Sequence, residues 1–232
     1  MSYVFTPPAV VTVPVANSEQ KVAVRRVYCV GRNYAAHAVE MGFDPDREPP
    51  FFFCKPADAV VPVATGEVYS LPYPSQTTDL HYEAELVAVI GKGGKDIAVE
   101  HALEHVWGYA VGLDMTRRDL QIEMRKMGRP WEVGKAFDHS APIGPIYPAE
   151  QIGHFTKGEI WLTVDGAERQ RSDIQKLIWS VAETVSYLST LFTLEPGDLI
   201  FTGTPEGVGP VERGQQMRVG VEGLADLVVD VV

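Results

Sequence analysis

One short segment, residues 82–90, restricts the possible folds of this chain more than any other. It reads YEAELVAVI, and its residues are all apolar except Glu83 and Glu85. Side chains two apart on a β-strand point to the same face, so Val87 and Val89 continue the face of the glutamates and the alternate residues form a second apolar face. A strand that is apolar on both faces is usually buried inside a sheet. The sequence therefore predicts a fold built around a buried β-strand.

The two carboxylates inside this strand need a compensating partner. Close together and poorly solvated, they repel each other, so one must bind a proton or a cation must lie between them. Oxygen ligands of this kind suit Mg²⁺, Mn²⁺ or Ca²⁺ better than zinc. A solvated face of an antiparallel strand is the ordinary alternative. Because the rest of the strand is apolar, the pattern favours a buried carboxylate pair that shares a proton or binds a divalent cation over a solvated face.

A third carboxylate ends a second apolar segment. Residues 108–115 read GYAVGLDM, and Asp114 lies where this predicted strand gives way to a charged helix. An aspartate at such a point is either a ligand at the rim of a sheet or the N-cap of the helix. Three positions further on stands Arg117 rather than Glu or Gln, so no capping box favours the cap. The sequence leaves both interpretations of Asp114 equally open.

Two residues on a predicted short helix form a candidate general base. The helix has Asn33 as a plausible N-cap and Gly42 as a plausible stop. His37 and Glu40 are three residues apart and therefore share a helix face. A carboxylate beside an imidazole orients the ring and raises its basicity, although by spacing alone such a pair is more typical of an exposed surface. His81, next to the glutamate strand, is a rival candidate.

Three further titratable residues have less specific surroundings. Lys135 lies in a predicted loop with apolar neighbours, where it could stabilise a developing enolate or oxyanion or lie with its stem along the surface. His101 and His105 are four apart on a short predicted helix. The H-E-x-x-H pattern of zinc enzymes is missing there, so we expect a solvated helix face.

Short strands dominate the rest of the pattern. The strands outnumber the helices and do not alternate with long helices. This predicts an α+β, mostly β fold with a mixed, largely antiparallel sheet and short peripheral helices. A hairpin is expected with its turn at Asp165 and Gly166. Apolar residues spaced three and four apart from Ile174 onwards predict an amphipathic helix that ends before Pro196.

The composition fits one main domain. The chain has 232 residues, of which 45% are hydrophobic, enough for one sizeable core. Residues 1–23 are rich in Pro and Val and are expected to form an extended lead-in before a single domain over residues 24–232. Cys29 and Cys54 lie in apolar runs, where cysteine usually behaves as a small core residue. With no basic secretory signal expected at the start, these features predict a cytoplasmic protein.

The charge balance argues against two classes of partner. The formal net charge is −11, which disfavours general binding to nucleic acids or to anionic membranes. No run of 18 apolar residues suggests a membrane span. A small anionic substrate remains compatible, because a metal ion or a few placed cations can reverse the local field.

Six motifs together resemble one enzyme family. They span residues 31–209 and are GRNYAAHAVEMG, FFFCKPADAVV, DLHYEAELVAVIGKGG, GYAVGLDMTRRDLQ, GKAFDHSAPIGP and LEPGDLIFTGTPEGVG. In this order they are similar to the signatures of the fumarylacetoacetate hydrolase family. The resemblance implies a mixed β-strand roll with short helices around it, usually assembled as a homodimer.

The resemblance also implies roles for individual residues. It implies one Mg²⁺ or Mn²⁺ ion per chain, held by the residues that match Glu83, Glu85 and Asp114. The remaining matched positions are the general-base dyad of His37 and Glu40, the motif lysine Lys135, and the substrate-facing Arg118, Gln121 and Thr204. Departures occur only in the C-terminal β region, where relatives often have Gly-Asp in place of Gly214-Gln215 and end differently from GLADLVVDVV.

The implied reaction is hydrolysis of a carbon–carbon bond in an acylpyruvate. The lead-in and the first motif are most similar to bacterial members that cleave 3-fumarylpyruvate to fumarate and pyruvate in gentisate-type aromatic catabolism. Other members decarboxylate oxaloacetate or isomerise related 2-oxoacids, and this is the alternative. A water-activating dyad favours hydrolysis, since metal-assisted decarboxylation needs no attacking water. A non-catalytic metal-binding β protein is a further alternative, but it would have no use for such a dyad.

Overall fold

The computed structural model describes residues 3–40 and 48–232, with side chains for all of these except residues 38–40. Gly42, the expected end of the first helix, lies outside the described residues. Within them, no helix is long and apolar enough to cross a membrane.

Short strands are the main elements. In chain order they are β1 (Thr12–Pro14), β2 (Lys21–Ala23), β3 (Val27–Val30), β4 (Phe52–Lys55), β5 (Val60–Pro62), β6 (Val68–Leu71), β7 (Leu80–Tyr82), β8 (Ala84–Ile90), β9 (Val106–Leu113), β10 (Thr116–Arg117), β11 (Ala141–Ile143), β12 (Tyr147–Pro148), β13 (Glu159–Val164), β14 (Ala167–Asp173), β15 (Leu199–Phe201), β16 (Gly209–Pro210), β17 (Gln216–Val221) and β18 (Leu227–Val231). The helices are α1 (Ala35–Glu40), α2 (Arg118–Lys126), α3 (Glu132–Lys135), α4 (Ala149–Ile152) and α5 (Val181–Leu191), with 3₁₀ turns at Ala57–Ala59, Val99–His105 and Ile174–Lys176. The predicted α+β, mostly β class is confirmed.

Strand β8 lies near the centre of the largest sheet. The order in this sheet is β4-β3-β15-β8-β9-β11-β5, with β12 also paired to β9. Most pairings are antiparallel, but β15 runs parallel to β3, and β11 runs parallel to β5. A second sheet has the order β14-β13-β17-β18-β6. The predicted mixed sheet is therefore present.

Alternate residues of β8 enter two different hydrophobic clusters. Leu86, Ala88 and Ile90 belong to a cluster shared with the second sheet, while Val87 and Val89 belong to a smaller one. The buried strand with two apolar faces is thus confirmed. The prediction placed all of residues 82–90 in one strand, but regular pairing breaks at Glu83. There the chain leaves β7, which pairs with β10 and β16, and joins β9 and β15.

The N-terminal segment forms a small hairpin. Strands β1 and β2 pair antiparallel, with Val13 opposite Val22. Val13 is fully buried in the smaller cluster, against residues of β3, β5 and β15. The first residues of the expected lead-in, from Tyr3 to Val10, are exposed.

Three local predictions need correction. Asn33 does not cap α1, because its buried side chain bonds Trp179 and the carbonyl of Thr202, far away in sequence. The helix predicted from Ile174 begins instead at Val181, where Ser180 and Glu183 form a capping box. Cys54 is exposed, whereas Cys29 is buried, because the side chain of Cys54 lies on the outer face of the edge strand β4.

Candidate active site

Three carboxylates meet where the central strands reach the edge of the sheet. In the β8–β9 pair, Ala84 lies opposite Leu113, and the backbone N–H of Asp114 donates to the carbonyl of Glu83 at 2.9 Å. This register puts Asp114 across from Glu83, while Glu85 shares the face of Glu83 two residues along. All three are buried, and each offers an oxygen within 4.8 Å of the others. Asp114 is therefore not a helix cap, and α2 begins after Arg117 instead.

Three cationic side chains surround this group of carboxylates. Lys135 Nζ lies 2.8 Å from Glu83 Oε2 and 2.7 Å from Asp114 Oδ2, and it also donates to Thr116. Arg118 Nη2 donates to Glu83 Oε1 at 2.5 Å. Lys55 Nζ lies 2.8 Å from Asp114 Oδ1. A buried charge is tolerated only when it is paired and hydrogen-bonded, so these contacts hold the carboxylates in place.

The surroundings drive the pKa values of the two glutamates apart. Burial raises the pKa of Glu83, but the charges of Lys135 and Arg118 outweigh it and hold that pKa below its usual range. Burial raises the pKa of Glu85 well above its usual range, and the charges of Asp114 and Glu83 add to this effect. Burial lowers the pKa of Lys135, but Asp114 and Glu83 outweigh it and raise that pKa. Burial and repulsion among the carboxylates therefore raise the pKa of Glu85, whereas the nearby cations keep the pKa of Glu83 low.

These features fit a divalent metal ion. The donor set is three buried carboxylates, the type of ligand that Mg²⁺ and Mn²⁺ prefer. Within the described residues, the buried Asp114 Oδ1 is held by its ion pair with Lys55 but accepts no hydrogen bond of regular geometry, so it has a lone pair for a ligand. A divalent cation would also relieve the repulsion that raises the pKa of Glu85. Glu83, Glu85 and Asp114 could hold the ion, as the sequence predicts.

A cavity of about 180 Å³ opens beside the carboxylates. Its lining includes Glu83 and Lys135 at one end, together with His37, Arg118 and Gln121. All five side chains are buried, so a ligand here would be largely removed from water. The cavity brings together the predicted base, two predicted substrate-binding residues and one predicted metal ligand.

His37 is placed to act within this cavity. It lies on α1, is 5% exposed and lines the cavity wall. The side chain of Glu40, its predicted partner, lies outside the described residues. The rival, His81, bonds Asp79 at 2.9 Å and accepts from Arg118 Nε at 3.3 Å, and burial, helped by the charge of Arg118, lowers its pKa. His81 thus holds Arg118 in position.

Lys135 and its neighbours differ from the expected loop. Lys135 ends the short helix α3 and is 2% exposed. Its three contacts with Glu83, Asp114 and Thr116 match the three N–H donors of an ammonium group. The surface interpretation of Lys135 is therefore wrong, while its role toward an enolate stays a prediction. His101 is exposed and pairs with Glu104, but His105 is buried and bonds the carbonyl of Lys92, so only His101 lies on a solvated face.

Arg118 and Gln121 form one unit on α2. Arg118 Nη1 donates to Gln121 Oε1 at 2.6 Å, which directs the amide N–H₂ of Gln121 away from Arg118. Thr204 is also buried but is not among the residues that line the cavity, and its hydroxyl accepts from Gln170 Nε2 at 2.9 Å. Gln170 also accepts from the backbone N–H of Ala84 at 3.0 Å. The predicted role of Thr204 in binding the substrate stays a prediction.

Two buried residues of the site are missing from the sequence prediction. Lys55 ends an apolar strand and is 2% exposed. A lysine inside the run FFFCKP is a signal that could have been used, because lysine is almost never fully buried unless paired. Gln170 gives no comparable local signal, since it lies on a hairpin of mixed polarity and its partners are distant in sequence.

The comparisons with known proteins agree with this geometry. The family model for the fumarylacetoacetate (FAA) hydrolase C-terminal region matches residues 26–232. A crystal structure of fumarylpyruvate hydrolase from Pseudomonas aeruginosa, in complex with Mn²⁺ and pyruvate, is 70% identical, with a TM-score of 0.98 over 100% of this chain and 99% of that one.

Two curated relatives have different activities. The mitochondrial oxaloacetate decarboxylase of Dictyostelium discoideum is 41% identical over 209 residues, 90% of this chain and 94% of the relative. An oxaloacetate tautomerase of Arabidopsis thaliana is 41% identical over 206 residues, 89% of this chain and 90% of the relative. With a family model that covers nearly the whole chain and relatives of this similarity, the protein belongs to the fumarylacetoacetate hydrolase family.

Proposed function

We propose that this chain is a metal-dependent hydrolase that cleaves the carbon–carbon bond of an acylpyruvate, with 3-fumarylpyruvate as the substrate. The observation that carries the proposal is the buried group of Glu83, Glu85 and Asp114 beside a cavity that contains His37. The similarity to a fumarylpyruvate hydrolase over the whole chain supports the choice of substrate.

The substrate's pyruvate end fits the polar end of the cavity. A divalent ion held by Glu83, Glu85 and Asp114 would stabilise the negative charge of the departing pyruvate enolate. Arg118 and Gln121 face the same cavity and present N–H donors, so they bind and orient the substrate carboxylate. Charge-assisted hydrogen bonds of this kind are about twice as strong as neutral ones.

His37 supplies the base. Hydrolysis requires that a water molecule lose a proton as it adds to the carbonyl of the acyl group, and a buried imidazole at the cavity wall can accept that proton at a ring nitrogen. The carbon–carbon bond then breaks, the electron pair stays with pyruvate as its enolate, and the proton on His37 passes to the enolate carbon to give pyruvate. General-base catalysis of this type typically contributes about 10²–10⁴-fold to the rate. We include Glu40 in the proposal as the carboxylate that orients His37.

A direct assay tests this function. The purified protein is mixed with 3-fumarylpyruvate and Mg²⁺ or Mn²⁺, and the loss of enol absorbance is followed with and without EDTA. We expect rapid loss that the chelator abolishes, with fumarate and pyruvate as products in equal amounts. The variant Glu85→Gln should be inactive, while Glu100→Gln, which changes an exposed glutamate, should be unaffected. Chelator-resistant turnover would contradict the proposed metal dependence.

A second candidate is decarboxylation of oxaloacetate. The specific observation in its favour is the 41% identity to an oxaloacetate decarboxylase over 90% of this chain. Both reactions leave an enolate of pyruvate, so the same carboxylates and cations would serve either one. Release of carbon dioxide from oxaloacetate, combined with no loss of fumarylpyruvate, would replace the first candidate by the second.

A further inference from the structure

One face of helix α2 forms a wall along the whole cavity. Arg118, Gln121, Ile122 and Arg125 all line it, and their spacing of three, four and seven residues puts them on one side of a helix. Arg118 and Gln121 are buried, Ile122 is half-buried and Arg125 is exposed. The face therefore runs from the buried carboxylates outwards to the mouth of the cavity.

Two aromatic rings also line the cavity, with a cation beside them. The rings of Phe51 and Trp131 meet edge to face, with their centroids 5.5 Å apart. The guanidinium of Arg32 lies 5.2 Å from the centre of the Phe51 ring. Both rings and Arg32 line the cavity. Phe51, Trp131 and Ile122 are the large apolar side chains of the lining.

Positive charge is therefore present at two separate places in one cavity. Arg118 and Lys135 are at the deep end, where both contact Glu83. Arg32 and Arg125 are the other cationic residues of the lining. The whole chain has a net charge of −11, so four arginine and lysine side chains around one cavity are not a consequence of composition. A ligand with two anionic ends and an apolar middle matches this distribution.

We propose that Arg125 and Arg32 bind a second carboxylate, at the far end of the acyl chain, and so make the enzyme specific for diacids. This inference rests on the proposed function, which places the pyruvate end at Arg118. Seven residues of helix separate Arg118 from Arg125, a rise of about 10 Å. An extended seven-carbon diacid with a hydrogen bond at each end spans that distance, and its carbon–carbon double bond then lies between Ile122 and the two rings.

Arg32 already has a carboxylate nearby. Its Nη2 lies 3.7 Å from Glu48 Oε2, and the side chain of Glu48 is 71% exposed. Such a long, exposed ion pair contributes little free energy. A substrate carboxylate held between two arginines and shielded by Phe51 and Trp131 displaces it at little cost.

Two matched substrates test the subsite. The first is 3-fumarylpyruvate, and the second is crotonylpyruvate, in which a methyl group replaces the terminal carboxylate. In the Arg125→Gln variant we expect kcat/KM for fumarylpyruvate to fall about 10- to 100-fold, mainly through KM, as the loss of one charge-assisted hydrogen bond predicts. The value for crotonylpyruvate should stay within about twofold. Arg32→Gln should change the preference in the same direction.

The matched control is Arg129→Gln. Arg129 is exposed just beyond α2 and does not line the cavity, so its loss removes a similar charge without touching the subsite. We expect the substrate preference of this variant to equal that of the unmodified protein. An Arg125→Gln variant that keeps its preference, or loses activity equally on both substrates, would overturn the proposal.

Equilibrium binding separates this proposal from the proposed function. The His37→Ala variant, loaded with Mn²⁺, is titrated with each acylpyruvate by calorimetry, alone and combined with Arg125→Gln. Tighter binding of fumarylpyruvate that disappears with Arg125→Gln supports the subsite even if the unmodified protein hydrolyses neither compound. Equal binding of both acylpyruvates to His37→Ala would refute the subsite, whatever the outcome of the hydrolysis assay.

Discussion

At the scale of single residues, the site is an unusual concentration of buried charge. Glu83, Glu85, Asp114, Lys55 and Lys135 are each at most 5% exposed. Removing one member of such a group leaves its partner charged, buried and unpaired, which is far more costly than losing an exposed ion pair. The effects of substitutions here should therefore separate into those on stability and those on chemistry.

Replacing His37 should affect the chemistry and not the stability. In His37→Ala we expect kcat to fall about 10²- to 10⁴-fold, the usual contribution of a general base, while the affinity for Mn²⁺ stays unchanged. Turnover of fumarylpyruvate and calorimetric titration with Mn²⁺ measure the two quantities. His101→Ala is the control, since His101 is exposed and pairs only with Glu104 in the described part of the chain. Unchanged turnover in His37→Ala would remove the residue from the mechanism.

Replacing Lys135 should affect both the stability and the chemistry. Lys135→Met removes the cation that contacts both Glu83 and Asp114, so we expect the free energy of unfolding without divalent ions to fall by about 3–5 kcal/mol. Adding Mn²⁺ should restore part of this loss, because the ion neutralises the same carboxylates. Urea unfolding with EDTA or with Mn²⁺ measures both effects. Lys92→Met, at an exposed lysine, should change neither curve, and equal stability of Lys135→Met without metal would contradict the argument.

At the scale of elements, the sequence predicts what depends on local pattern. The alternation over residues 82–90 identifies the central strand, and the Asp165-Gly166 turn joins β13 and β14 as expected. The predicted start of α5 is wrong because the apolar spacing continues backwards to Ile174. The capping-box pair Ser180 and Glu183 is visible in the sequence and marks the true start. Asn33 cannot be assigned locally, because its partners lie in the loops before α5 and after β15.

The same limit applies to the site. The glutamate pair could be predicted because Glu83 and Glu85 lie two residues apart beside a buried apolar strand. The pattern alone left Asp114 open between ligand and helix cap, and only the family resemblance assigned it as a ligand. The contacts of Lys55 and Gln170 depend on which strands and loops meet in space. They could therefore not be derived from spacing along the chain.

The loop after β15 positions one carboxylate through its backbone. Gly203 has φ +99° and its N–H donates to Glu85 Oε2 at 2.7 Å. A Cβ there would lie 2.7 Å from the Cβ of Asn33, so Gly203→Ala must shift the loop. We expect weaker Mn²⁺ binding, by at least tenfold, together with a lower melting temperature. These are measured by calorimetry and thermal unfolding.

Gly214→Ala provides the matched control for this loop. Gly214 also has a positive φ, +85°, but a Cβ there would meet no atom within 4 Å. It should therefore cost only the strain of a left-handed alanine, about 1–2 kcal/mol, and leave Mn²⁺ affinity unchanged. If both variants bind Mn²⁺ equally well, the loop does not position Glu85.

At the scale of the whole molecule, the site connects the two halves of the core. Strand β8 contributes side chains to both hydrophobic clusters, and Gln170 links the second sheet to it through the N–H of Ala84. The carboxylates at the start of β8 are thus fixed from both sheets. That the chain forms a homodimer, and that residues 1–23 are an extended lead-in before a single domain over residues 24–232, stay predictions from the sequence.

This placement predicts that a bound metal ion stabilises the entire fold. An ion that binds only the folded state at 100 times its Kd adds about 2.7 kcal/mol to the free energy of unfolding. For a domain of this size, that corresponds to a rise in Tm of roughly 5–10 °C. Thermal unfolding of EDTA-treated protein, with and without Mn²⁺, measures the shift. The shift should disappear in Asp114→Asn and persist in Glu100→Gln, because Asp114 is one of the three proposed ligands and Glu100 is not. A full Mn²⁺ shift in Asp114→Asn would place the ion elsewhere.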